Sequence, residues 1–178
     1  DEEMEEAREF LNSHFFFLNP AEEDLTMDGI LDYVSDDIRE RGIDGFVLDP
    51  YTELEQQLSY GETETQHIKK VLKKMMRFTQ QNKIHSWLLA HPVKSRETYT
   101  DGRPTLSSIA GSQNFYNKID FGIVVHRPDR KTNVTKVFVD KVRFDANGQE
   151  GECEFLYDRD SRAYTPNEAQ IEKYEEQW

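Results

Sequence analysis

Two apolar runs in this chain end in residues that can do chemistry. Gly45-Phe46-Val47-Leu48 leads into Asp49-Pro50, and the run 84–90 leads into His91-Pro92. In open α/β sheets, binding sites gather beyond the carboxyl ends of parallel strands. A carboxylate at such a tip is how many nucleotide hydrolases hold Mg2+, usually through water. Taken alone, an Asp-Pro strand end is also an ordinary turn start, and a loop histidine is ordinarily satisfied by local hydrogen bonds. Together, Asp49 and His91 suggest a pocket able to sense a polyphosphate. A third element is Val137-Phe138-Val139-Asp140-Lys141-Val142-Arg143-Phe144. Strand alternation places Lys141 and Arg143 on one face, where two cations can stabilise the charge on a transferred phosphoryl group. The plainer reading of that pair is an exposed strand whose edge is blunted by Lys and Arg.

These residues need a scaffold, and the chain's periodicity supplies one. Met4, Ala7, Phe10 and Leu11 mark an apolar stripe on a helix over 2–13. The aromatic run 14–18, stopped by Asn19-Pro20, predicts a buried strand. Thr26 caps a second helix with the face Met27, Ile30, Leu31, Val34 and Ile38, closed by Gly42. The run from Gly45 then reads as a buried parallel strand. After a polar loop over 51–66, Ile68, Val71, Leu72, Met75 and Met76 line one side of a helix. Lys69, Lys70, Lys73, Lys74 and Arg77 form its other, solvated side. A strand over 84–90, a loop over 93–110, a short helix near 112–118 and a strand over 121–126 follow. This alternation predicts an α/β fold with a mainly parallel sheet. Beyond residue 130, strands over 134–144 and 152–157 joined through Asn147-Gly148 predict an antiparallel hairpin at the sheet edge. Thr165-Pro166-Asn167-Glu168 reads as a capping-box start for an acidic C-terminal helix.

A chain of 178 residues fits one domain, or one domain with an appendage. Its net charge of −13 conceals a basic middle. Residues 1–66 hold 3 Lys/Arg against 20 Asp/Glu, residues 67–143 hold 16 against 5, and residues 144–178 hold 3 against 10. Such asymmetry can mark a surface for a polyanion, although charge blocks are often only solvated faces. The longest apolar runs fall far short of the roughly 20 residues that cross a bilayer. The single cysteine, Cys153, excludes an internal disulfide framework, so a reducing, cytoplasmic compartment is expected.

Read in order, the motifs resemble a family. Gly45 through Pro50 is followed by Leu88-Leu89-Ala90-His91-Pro92-Val93-Lys94. Gly111-Ser112 through Asn117-Lys118-Ile119-Asp120 comes next, then Val124-Val125-His126-Arg127, then Lys141-Val142-Arg143-Phe144. The series resembles the hexameric replicative DNA helicases of the DnaB-like group, and most closely the primase-helicases of phages and mitochondria. The resemblance implies a partial RecA-like P-loop NTPase core over residues 1–165, with an acidic helix over 166–178. It implies that Asp49 is the Walker B carboxylate for Mg2+, through water, and that His91 reports the γ-phosphate state of ATP to the DNA loops. Arg127 and Tyr157 take positions that pack against the nucleotide base, and Asn117 stands where some relatives have a sensor glutamine. Lys141 and Arg143 match a pair that reaches across a subunit boundary to the neighbour's triphosphate. Lys94, Arg96 and Arg103 fall on a loop that faces single-stranded DNA in the ring's channel, and Tyr99 on that loop could stack a base. The acidic segment 51–66 matches another such loop.

No Gly-x-x-x-x-Gly-Lys-Ser/Thr occurs, and none of the nine glycines precedes a lysine. That loop supplies the backbone N–H cradle for phosphates. In the family it lies upstream, with the glutamate that activates water. The chain is therefore expected to be the C-terminal part of a helicase domain, monomeric and inactive alone, from a homo-hexameric ATP-dependent parent. The alternative is a non-catalytic RecA-like module that binds single-stranded DNA or a partner. A metal-dependent nuclease using Asp49 with Glu53 or Glu55 is the third class. It lacks both a lysine one residue after a second strand acid and a metal-binding histidine pair.

Overall fold

Helix signals and helix ends coincide closely in this chain. The computed structural model describes residues 2–19, 26–51, 54, 60–92, 102–109 and 112–168. Helix α1 runs Glu2–His14 and α2 runs Met27–Arg41. The Thr26 hydroxyl accepts from the Gly29 N–H at 3.1 Å, and Gly42 closes α2 at a φ of 69° with its N–H on the Ile38 carbonyl. Only a residue tolerant of the left-handed region ends a helix that way, which is why glycine stands there. Helix α3, Glu64–Asn82, opens on a reciprocal capping box between Thr63 and Gln66. A short helix α4 spans Ser112–Lys118.

The parallel unit pairs β1, Gly45–Leu48, with β2, His85–Leu88, in the register Gly45↔His85 to Leu48↔Leu88. Against it pack the apolar faces of α2 and α3 and the ring of Phe115 from α4, with Ile68 and Val34 fully buried. Burying each such side chain contributes about 1.5–3 kcal/mol. The other sheet is antiparallel, in the order β3 Phe121–His126, β4 Val134–Val142, β5 Gly151–Tyr157 and β6 Tyr164–Pro166. Among the described residues the parallel part has two strands and the antiparallel part four, a different proportion from the mainly parallel sheet expected. Links 127–133 and 143–150 are too short for the crossover of a dozen or more residues that parallel neighbours need.

Two expected elements differ. The aromatic run after His14 forms no strand, and Phe15 to Leu18 are exposed, Phe17 by 92%. A strand is stable only when a neighbour completes its ladder and covers a face, and no described residue pairs with this one. Similarly, α1 buries none of its residues. Thr165 and Pro166 lie in β6, which pairs with Phe155–Tyr157, and helix begins at Glu168 rather than at the expected cap. Proline is tolerated there because β6 is an edge strand. The Thr165 hydroxyl donates to the Leu156 carbonyl rather than capping a helix, and residues 169–178 lie outside the described set.

Candidate nucleotide and DNA site

Parallel pairing puts Asp49 and His91 on the same edge. Each follows the carboxyl end of its strand, and both are exposed. The ladder continues past the strands: the Leu89 N–H donates to the Leu48 carbonyl at 3.0 Å and the Tyr51 N–H to the Leu89 carbonyl at 2.9 Å. The Tyr51 ring is buried edge-on to Phe115, with centroids 5.5 Å apart. The two strand exits are thus tied together and anchored on α4.

Lys141 and Arg143 also converge on α4, at its C-terminus. Lys141 is 9% exposed; its ammonium donates to the Tyr116 carbonyl and lies 4.5 Å from the Tyr116 ring centroid. Burial pushes its pKa below the ordinary lysine value, the Arg143 charge adds to that, and Asp120 opposes it. Arg143 donates to the Asn117 carbonyl at 2.9 Å and pairs with Asp120 at 2.9 Å. Cations at a helix C-terminus complete its open carbonyls and oppose its dipole. Lys141 is therefore an inward group, whereas Arg143 keeps a partly exposed side chain. From Asn117, it is the backbone carbonyl that takes part here, while the residue as a whole is exposed.

The residues expected around a base also lie close together. Arg127 folds back on the β3–β4 turn, donating to the carbonyls of Thr132 at 2.6 Å and Arg130 at 3.2 Å. The next residue, Asn133, accepts from the Tyr157 N–H at 2.8 Å. Tyr157 packs on Tyr164, its register partner, with ring centroids 4.9 Å apart. Beside them lies an open groove of about 460 Å³, lined by Asn133, Leu156, Tyr157, Asp158, Arg159 and Thr165. The Asp158 carboxyl is held below the usual carboxylate range by hydrogen bonds from Ser161 and Asp160.

Lys94, Arg96 and Tyr99, like Glu53 and Glu55, lie outside the described residues. Arg103 is described, and its guanidinium forms a two-pronged pair with Asp140 at 3.0 and 3.1 Å. The basic row on α3 is exposed as expected; Lys70 pairs with Glu62 at 2.7 Å and Lys74 with Asp28 at 2.5 Å. Among the described residues no group of three or more His, Cys, Asp or Glu could hold a metal. Sequence reasoning missed Asp120, Asp140, Tyr116 and Tyr164. An acid standing between Val139 and Lys141 in an otherwise apolar and basic strand was the one available signal.

No protein-family profile matches the chain. It is 36% identical over 170 residues to the Twinkle homolog protein, chloroplastic/mitochondrial, of Arabidopsis thaliana, across 92% of this chain and 24% of that protein. It therefore spans about a quarter of that curated relative's length. Among solved structures it is similar to an ATPase domain, with a TM-score of 0.67 and 16% identity over 79% of this chain and 51% of that one. A DnaB-like replicative helicase, solved in a study of its interactions with primase, gives the same TM-score and identity over 34% of its chain. The fold is that of a RecA-like ATPase domain of DnaB-like helicases. In sequence the chain is related to that Twinkle homolog along most of its own length.

Proposed function

We propose that this chain is part of an ATP-dependent replicative DNA helicase of primase-helicase type, which couples NTP hydrolysis to movement along single-stranded DNA as a homo-hexamer. The observation that carries the reading is the shared carboxyl edge of Asp49 and His91, in a chain 36% identical to a Twinkle homolog. Asp49 would hold Mg2+ through water. An exposed carboxylate at a strand tip suits an ion whose other ligands are water and substrate phosphates. That ion, when bound, neutralises charge on the transferred phosphate. His91 stands where it can answer to the γ-phosphate.

Arg143, partly exposed at the end of α4, is the group placed to exchange Asp120 for a neighbouring subunit's triphosphate. Lys141 sets where Arg143 stands by fixing β4 on α4. Arg127 and Tyr157 flank the base, and Asn117 sits beside the Arg143 anchor. Lys94 and Arg96 belong to the loop that meets DNA. Cations there give sequence-tolerant, salt-dependent affinity. The relative's name refers to chloroplasts and mitochondria, which supports an organellar compartment rather than a simply cytoplasmic one.

The test has two arms. Purified alone, the chain should show no Mg2+-dependent ATP turnover, because it contains no Gly-x-x-x-x-Gly-Lys-Ser/Thr loop. In the longer protein that the reading requires, Arg143→Ala should lower turnover on the order of 10³-fold while sparing nucleotide binding. Unchanged turnover in that variant would reject the reading.

A further inference from the structure

We propose that Arg103 is a positioning residue, the clamp that fastens the root of the DNA-facing loop to strand β4 through Asp140, and that this clamp carries DNA occupancy to Arg143. The inference rests on the helicase reading above. It differs from the expectation that Arg103 itself touches DNA.

The Arg103 side chain is 27% exposed and that of Asp140 is 14% exposed. Two parallel N–H···O bonds join them, and Nη1 also donates to the Pro104 carbonyl at 3.2 Å. The guanidinium carbon lies over the buried Phe138 ring, 3.9 Å from its centroid. A fork-to-fork pair of this kind is strong and geometrically specific. A DNA phosphate would have to displace a carboxylate that is already well placed and largely out of solvent. Three contacts and a covered ring face describe an anchor.

The rest of the root is fastened as well. Leu106 and Ser108 are buried, and Leu106 fills the space above Gly122 so closely that an added Cβ there would lie 2.4 Å from it. On the other side, β4 is irregular where the clamp lands. Gly122 pairs with Lys141 and Ile123 with Val139, which leaves Asp140 as the extra residue. An extra residue of this kind bends a strand and re-aims a side chain. Lys141 follows directly and is fixed to the Tyr116 carbonyl, and Arg143 is two residues further on. A strand advances roughly 3.3 Å per residue, so the clamp lies about 10 Å from the residue placed at the neighbour's triphosphate. A pull on the loop is delivered to β4 next to the pair of cations.

The experiment uses the longer protein, a fluorescent oligo-dT strand, and ATP turnover with and without it. Asp140→Asn, which keeps size, and Arg103→Lys, which keeps charge but loses the fork, should each cut DNA stimulation tenfold or more. The double variant should be no worse than either. DNA affinity and its dependence on salt should stay with the parent, and Asp140→Asn should leave DNA-free turnover within twofold. If Arg103→Ala weakens DNA binding and lowers the salt slope by about one, Arg103→Lys restores both, and Asp140→Asn is harmless, Arg103 is a phosphate ligand and the clamp is wrong. If the parent protein shows no DNA-stimulated turnover, the helicase reading falls first and takes the clamp with it.

Discussion

Gly45→Ala offers a direct check on the pairing that puts Asp49 and His91 on one edge. A Cβ built at Gly45 would lie 2.7 Å from the His85 carbonyl oxygen and 3.3 Å from its carbon. Ordinary non-bonded contacts sit at roughly 3.5–4.0 Å, so the overlap approaches 1 Å. The obstructing atoms are backbone, and no rotamer change can clear them; β1 and β2 must part at the hydrogen bond from His85 N–H to the Asp44 carbonyl. Overpacking of this kind costs about 1–3 kcal/mol, and the rigid obstacle places this case at about 2–3 kcal/mol. For a chain of this size that is a fall in Tm of about 4–12 °C. The matched control is Gly151→Ala in β5, where nothing lies within 4 Å. There the substitution should be neutral or stabilise by about 0.5 kcal/mol through the unfolded chain. Urea unfolding followed by circular dichroism measures both, with m unchanged. Equal midpoints for the two variants would refute the close parallel register.

Two further outcomes can be measured on the same chain. Ile68→Ala, at a position 1% exposed, should cost about 2–5 kcal/mol, whereas Val47→Ala on the exposed side of β1 should stay within about 0.5 kcal/mol; similar losses for both would contradict the placement of the core. Burial first, and then the Arg103 charge, hold the His126 pKa below its ordinary 6.5. The unfolded chain therefore takes up a proton that the fold resists, and stability should fall as pH drops from 6.5 towards the folded value. His126→Asn should flatten that part of the pH profile of urea midpoints, and an unaltered slope would show that His126 does not carry it.

Local signals were legible where they are complete within a few residues. Thr26 and Gly42 bound α2 because a cap is satisfied by atoms three or four positions away. The face of α3 follows from its period, and the apolar runs ending at Asp49 and His91 announced two strand tips. The same logic failed at His14–Leu18 and misplaced the start of the last helix, which is at Glu168 rather than at Pro166. An aromatic run needs a partner strand to become one, and a cap-like string lost to a ladder with β5.

The sequence by itself carried a family resemblance, through motifs kept in order along the chain, and it determined the residue types at the site. Tertiary structure decided their surroundings. Alternation put Lys141 and Arg143 on one face, but the packing of β4 on α4 made one an inward group on a carbonyl and left the other partly exposed beside Asp120. Arg103 reads as a loop cation until Asp140, 37 residues away, takes both of its prongs. The physical reason is range: helix periods and caps act over a few residues, whereas charge pairing and burial depend on which distant segments the fold brings together.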